Sequence, residues 1–209
     1  MKINKPNVSI INEKTLELFT YENEYTNALI EGNDYDSFYT ISDTTISSCI
    51  FKDIDFEKIS LTNINIVDSV FENCNLSNKV FDKKLLRRVI FKNCKLFGSS
   101  FIDSSLQDIE FLSCNLKYLN FANANLKNIF FNTSDLSNSF FMETKNKNLY
   151  FQETKLNETE FIKTTLTKVD FSSSDIFGTH FDLLSLRGII IDEFQSRYLV
   201  GMLGVKIKE

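Results

Sequence analysis

FENCNLSNKV (71–80), FKNCKLFGSS (91–100), FLSCNLKYLN (111–120) and FANANLKNIF (121–130) decide the fold. Each block opens on Phe, places Leu five residues later, and sets a small residue two places before that Leu. The pattern extends outward in both directions. Of the fourteen positions taken every ten from 51 to 181, thirteen are Phe and the exception is Leu61, although only 21 of the 209 residues are Phe. Midway between them, from 46 to 186, stand ten Leu, three Ile (Ile46, Ile66, Ile176), Phe56 and Asn146. Small residues precede most Leu centres by two: Cys74, Cys94, Ser104, Cys114, Ala124, Ser134, Thr154, Thr164 and Ser174. A period of five matches neither the 3.6 of a helix nor the 2.0 of a flat strand. It suits a backbone that turns a corner every five residues and points every fifth side chain inward, four sides closing a coil of twenty.

Composition bounds the rest. With 43% hydrophobic and 24% charged residues the chain is neither disordered nor membrane-like. Six Gly and one Pro are too few to make so many corners, so another device must turn the backbone. The opening MKINKPNVSIINEK has no long apolar run and no stretch approaches the roughly 18 apolar residues of a membrane span, so a cytoplasmic location is expected. Cys49, Cys74, Cys94 and Cys114 form no CxxC pair and are spaced as inward packing residues rather than as a disulfide or metal framework. His180 is the one histidine, and no acid–base pair or nucleophile assembles around it. No enzyme activity and no cofactor are expected. A net charge of -5 disfavours direct binding of nucleic acid by the protein as a whole.

The quoted blocks resemble the A(D/N)LXX repeats of the pentapeptide repeat family. The resemblance implies an all-β fold, a right-handed quadrilateral β-helix over residues 39–191, with residues 1–38 as an N-terminal cap. Coils stacked at about 4.8 Å make a rod of roughly 36 Å. Two segments are irregular without shifting the phase: 77–90, with Lys79 and Lys84 where small residues are expected, and 144–148, with Asn146 at a centre. The pattern stops after Ile191. In residues 192–209, Asp192 and Gln195 have capping-box spacing, Gly204 can stop a helix, and Leu199, Met202 and Leu203 share one face ahead of a Val205-Lys206-Ile207 strand. This ending is similar to that of the Qnr and MfpA group, with matches at Asp192, Gln195, Leu199, Leu203, Gly204, Val205 and Ile207. The resemblance implies a homodimer through Leu199, Met202, Leu203, Val205 and Ile207. It also implies binding to DNA gyrase or topoisomerase IV by mimicry of duplex DNA, and protection of that enzyme from quinolones. A scaffold for an unrelated protein partner is the alternative.

Sorting charges by residue number modulo twenty tests mimicry independently. The side centred on Phe101, Phe121 and Phe141 carries Asp43, Asp82, Asp103, Glu143, Glu160 and Asp182 against three lysines. The opposite side carries Asp53, Glu72, Glu110, Glu153 and Asp170 against two. Asp82, Asp103, Glu143, Glu160, Asp182, Glu110 and Asp170 are therefore the candidate partner-binding acids. The side of Leu86, Leu126 and Leu166 is basic, with Lys84, Arg87, Arg88, Lys127, Lys145, Lys147, Lys168 and Arg187 against Asp68 and Asp108. An end-to-end dimer of roughly 70 Å matches about twenty base pairs at 3.4 Å per step, although each face carries far less charge than B-DNA. Phe130 and Tyr150, in one column with Val70, Ile90 and Ile190, make an outward apolar strip beside Glu110 and Asp170.

Overall fold

The structure, a computed structural model, describes residues 3–15, 25–32, 37–202 and 204–208. The chain winds into a quadrilateral β-solenoid of about eight turns closed by one short helix. Its coils pair in parallel at an offset of twenty: Phe51, Phe71, Phe91, Phe111, Phe131 and Phe151 are consecutive register partners. Ile66, Leu86, Leu106 and Leu126 do the same on the adjoining face. The Phe rings stack, with centroids 4.8–5.3 Å apart along Phe81, Phe101, Phe121, Phe141 and Phe161. Rings of the two columns meet edge-on, as Phe131 and Phe141 do at 6.3 Å, so quadrupole-favoured contacts run both along and across the rod. Ring spacing equals strand spacing, which is why one aromatic per coil fills the column without voids.

The missing turn device is a left-handed residue at the second position after nearly every centre, from Asp43 and Ser48 through Lys168. Gly takes that place only at Gly98, Gly178 and Gly188; Asn or Asp takes it most often, because a short polar side chain tolerates positive φ best after Gly. On two sides the turn closes tightly, with the N–H three residues on donating to the centre carbonyl: Ser99 to Leu96, Ser104 to Phe101, Ser139 to Leu136. On the other two sides the chain stays extended, giving eight-residue strands such as Leu85–Lys92, Ser105–Leu112 and Asn125–Asn132.

Small polar residues two places before a centre stitch the coils together. Their hydroxyl or thiol donates to a centre carbonyl of the coil below: Ser99 to Leu76 at 2.7 Å, Thr159 to Leu136 at 2.8 Å, Cys94 to Phe71 at 3.3 Å. Many also accept an N–H from that coil, as Ser139 does from Leu119. Buried backbone groups at the corners are thereby paired, which an apolar residue of equal size could not do. Lys79 replaces the hydroxyl with its ammonium, which donates to the Ile59 carbonyl at 2.9 Å, and burial holds its pKa below the usual lysine range. The Lys84 ammonium donates instead to the side-chain oxygen of Asn63, at 3.2 Å. The irregular segment 77–90 therefore stays in register, with no loop leaving the rod.

At the N-terminal end the stack begins before residue 39. Asn12–Lys14 pairs with Ala28–Glu31, which pairs with Ile50–Lys52 and places Ile30 beneath Phe51. That offset is twenty-one rather than twenty, and the extra residue hides this coil from a count by twenties. Helix Glu193–Met202 closes the opposite end. The expected Val205-Ile207 strand does not form: among the described residues, Val205 N–H donates only to the Val200 carbonyl at 3.4 Å, and a strand needs a neighbour that this end of the chain does not offer. No helix among the described residues is long and apolar enough to cross a membrane.

Candidate partner-binding surfaces

Apart from Glu110, the acids singled out by face fall into three groups. Asp82 and Asp182 are structural: Asp82 accepts the Ile102 N–H at 2.8 Å, and Asp182 accepts those of Ser185 and Lys163 at 2.8 and 2.9 Å. Glu143 is exposed but paired with Lys163 at 2.8 Å, one coil away. Asp103 and Asp170 are exposed and Glu160 half-buried, and none of the three has a cation within ion-pair distance among the described residues. Asp170 accepts the Ser172 N–H at 2.9 Å. Glu72 with Lys92 and Asp135 with Lys117 repeat the cross-coil pairing. Much of the apparent acidity is thus neutralised between coils, because columns of like-facing residues lie one strand spacing apart.

Glu110 is a different case. It is 3% exposed, in the apolar strip between Ile90 and Phe130, and the Lys5 ammonium donates to both its oxygens at 2.5 and 2.6 Å. Lys5 belongs to an extended strap, residues 3–10, that runs down this corner of the rod. Asn4 donates to buried Asp108 from its side chain at 3.0 Å, and Asn7 N–H donates to Asp68 at 3.0 Å. Asp68 also pairs with Arg88. The Arg88 hydrogen bond, with help from the Asn7 N–H, holds the Asp68 carboxyl below its ordinary range against the opposing effect of burial. At Asp108, burial pushes upward but hydrogen bonds from Asn4, Asn128 and Gln107 outweigh it and bring the carboxyl below its ordinary range. The chain's own N-terminus therefore occupies the acids of this corner. Contacts across more than a hundred residues carry no periodic signal, and a face count could not have shown them.

At the other end the capping box forms: Gln195 N–H donates to Asp192 at 2.8 Å and Asp192 N–H to the Gln195 side chain at 3.0 Å. The Gln195 amide also donates to the Phe171 and Ser174 carbonyls at 2.8 and 2.7 Å, locking helix Glu193–Met202 onto the last coil. Tyr198 donates to the Thr179 carbonyl and packs on Phe177. Leu199, expected at a dimer interface, is instead 8% exposed against the rod core, because the last Phe and Leu centres need an apolar lid. Leu203 lies outside the described residues. Met202, Val205 and Ile207 are exposed, and Phe194, a residue the sequence reading passed over, is 81% exposed beside them in the chain.

The remaining candidates behave as packing residues. The four cysteines are buried and unbridged, and hydrogen bonding with Cys94, then burial, raises the Cys74 and Cys114 thiols. His180 is exposed and 3.3 Å from Glu158. Phe130 and Tyr150 are half-buried register partners in neighbouring coils.

Two family models match the sequence: one described as a pentapeptide repeat region over residues 64–141, the other as pentapeptide repeats over 147–182, together more than half of the chain. No curated protein matches. Among solved structures the chain is similar to a trypsin-treated variant of QnrB1, a plasmid-mediated fluoroquinolone resistance protein. Identity is 16%, coverage 96% of this chain and 97% of that one, and TM-score 0.45. It is also similar to HetL, a pentapeptide repeat protein involved in heterocyst differentiation regulation from the cyanobacterium Nostoc sp. strain PCC 7120. There the identity is 14%, with coverage of 91% and 93% and a TM-score of 0.35.

Proposed function

Because the chain belongs to the pentapeptide repeat family, we propose that it is a non-catalytic binding protein that engages a type II topoisomerase, DNA gyrase or topoisomerase IV, and protects it from quinolones or related poisons. The carrying observation is the C-terminal end. The Gln195 amide, bonded to the Phe171 and Ser174 carbonyls, holds the capped helix on the rod while Phe194, Met202, Val205 and Ile207 stay bare, an arrangement suited to joining two copies end to end. Two rods so joined reach roughly 70 Å, about twenty base pairs of duplex. Asp103, Glu160 and Asp170 supply the uncompensated carboxylates on its acidic sides. A second reading, a scaffold for an unrelated protein, draws support from the cross-coil neutralisation of Glu72 and Glu143, which leaves those sides with little of the charge of DNA.

A supercoiling assay with purified gyrase and ciprofloxacin across a titration of the protein separates the two. The topoisomerase reading expects rescue of supercoiling near stoichiometric protein. Neither rescue nor inhibition would sink it and leave the scaffold reading, with the partner to be sought by pull-down.

A further inference from the structure

The stack is open at the seam between Lys145–Gln152 and the coil that follows it. Lys145–Gln152 pairs normally with Asn125–Asn132 below it. On its other edge, among the described residues, no backbone hydrogen bond or bridge joins 145–153 to 165–173, and pairing resumes only at Lys155 with Asp175. The core is intact there, since Phe151 and Phe171 stack at 5.2 Å. Leu149, Phe151 and Val169 nevertheless keep 4–5% exposure, where Val89, Ile109, Ile129, Phe111 and Phe131 on the preceding coils have none. The cause is Asn146. It stands where the same column elsewhere holds Ile or Leu, and its amide cannot be buried unpaired. The side chain stays half-exposed and donates to the Thr165 carbonyl at 2.8 Å, a bond that takes the place of the strand ladder.

Two cavities flank Asn146 at this seam. One of about 480 Å³ runs along Lys147, Asn148, Thr167 and Lys168, and one of about 630 Å³ lies beside Lys145 and Thr165. Lys145, Lys147 and Lys168 have no carboxylate within ion-pair distance among the described residues. Lys127 is the register partner of Lys147, placing two ammonium-bearing side chains next to each other with no acid between them. Glu143, the carboxylate on these walls, is held by Lys163. The ammonium groups of Lys147 and Lys168, the hydroxyls of Thr165 and Thr167, the Asn146 and Asn148 carboxamides and an unpaired strand edge line the space of about 480 Å³. Such donors are matched by an anion rich in acceptor oxygens.

We infer that this seam is a binding site for a small phosphate-bearing anion, held by Lys147 and Lys168 with the Thr165 and Thr167 hydroxyls around it. The inference does not depend on which protein the rod binds. The probe is pyrophosphate, titrated calorimetrically and by thermal shift at ionic strength held constant with KCl, so that general screening is matched. Saturable binding with a rise in Tm is expected. It should weaken at least about tenfold in a Lys147→Gln/Lys168→Gln double variant and persist in Lys95→Gln, a distant exposed lysine. Asn146→Leu restores the apolar ladder; it should raise stability and abolish binding, keeping the test independent of any loss of fold. Absence of saturable binding, or equal binding by the double variant, would overturn the site. Binding of a short DNA duplex without pyrophosphate would overturn it as well, by assigning the lysines to a nucleic-acid backbone instead.

Discussion

At the scale of single residues, the fold is governed by what stands two places before and two places after each centre. The position after must accept positive φ, and Thr133 does so at 49° despite its branched Cβ. A β-branched side chain in that region is strained by about 1 kcal/mol relative to Asn. Thr133→Asn should therefore stabilise the protein by a figure of that order in urea titrations, and a loss of stability would show that the corner is relaxed. The position before must donate to the coil below. Thr159→Val keeps the shape of the side chain but leaves the Leu136 carbonyl without its hydroxyl donor, so a cost of about 1–2 kcal/mol is expected, measured the same way. A neutral result would assign the stitch to packing alone.

At the scale of elements, the strap and the terminal helix are the two pieces that the repeat does not specify. The strap is tied through carboxylates whose values are depressed in the folded protein, Asp68 by Arg88 and Asn7, Asp108 by Asn4, Asn128 and Gln107. A group with a depressed folded value stabilises above its unfolded value and loses that contribution as pH falls through the folded one. Strap docking should accordingly be complete at neutral pH and lost in acid, below the ordinary carboxylate range. NMR shifts of the Asn4 and Asn7 amides against pH would report it. Asp68→Asn with Asp108→Asn should flatten the titration, and an unchanged profile in that variant would show that these two carboxylates do not control docking.

For the whole molecule, the C-terminal end separates two jobs that the sequence merged. Leu199 seals the core, whereas Phe194 and Ile207 are bare. Under the proposed end-to-end pairing, Phe194→Glu with Ile207→Glu should give well-folded monomers by light scattering, with Tm little changed beyond the loss of mass-action stabilisation by the partner. Leu199→Glu should instead unseat the helix and lower Tm at any protein concentration. If the Phe194/Ile207 variant stayed dimeric, the two copies would have to meet elsewhere than at the rod's end.

The sequence by itself determined the period, the number of sides, the Phe and Leu columns and the Asp192–Gln195 cap. Each is a local rule, repeated every five, ten or twenty residues or completed within one turn of helix, and repetition makes such rules legible. The tertiary structure alone decided which charges remain free. Lys5 lies 105 residues from Glu110, and Lys163 lies twenty from Glu143, so pairing depends on the reach of side chains between coils and not on the face that bears them. The open seam lies between these cases. Asn146 was visible as an interruption of the Leu column, but its effect on the backbone pairing of the next coil follows from the cost of burying an amide, which appears only once the coils are stacked.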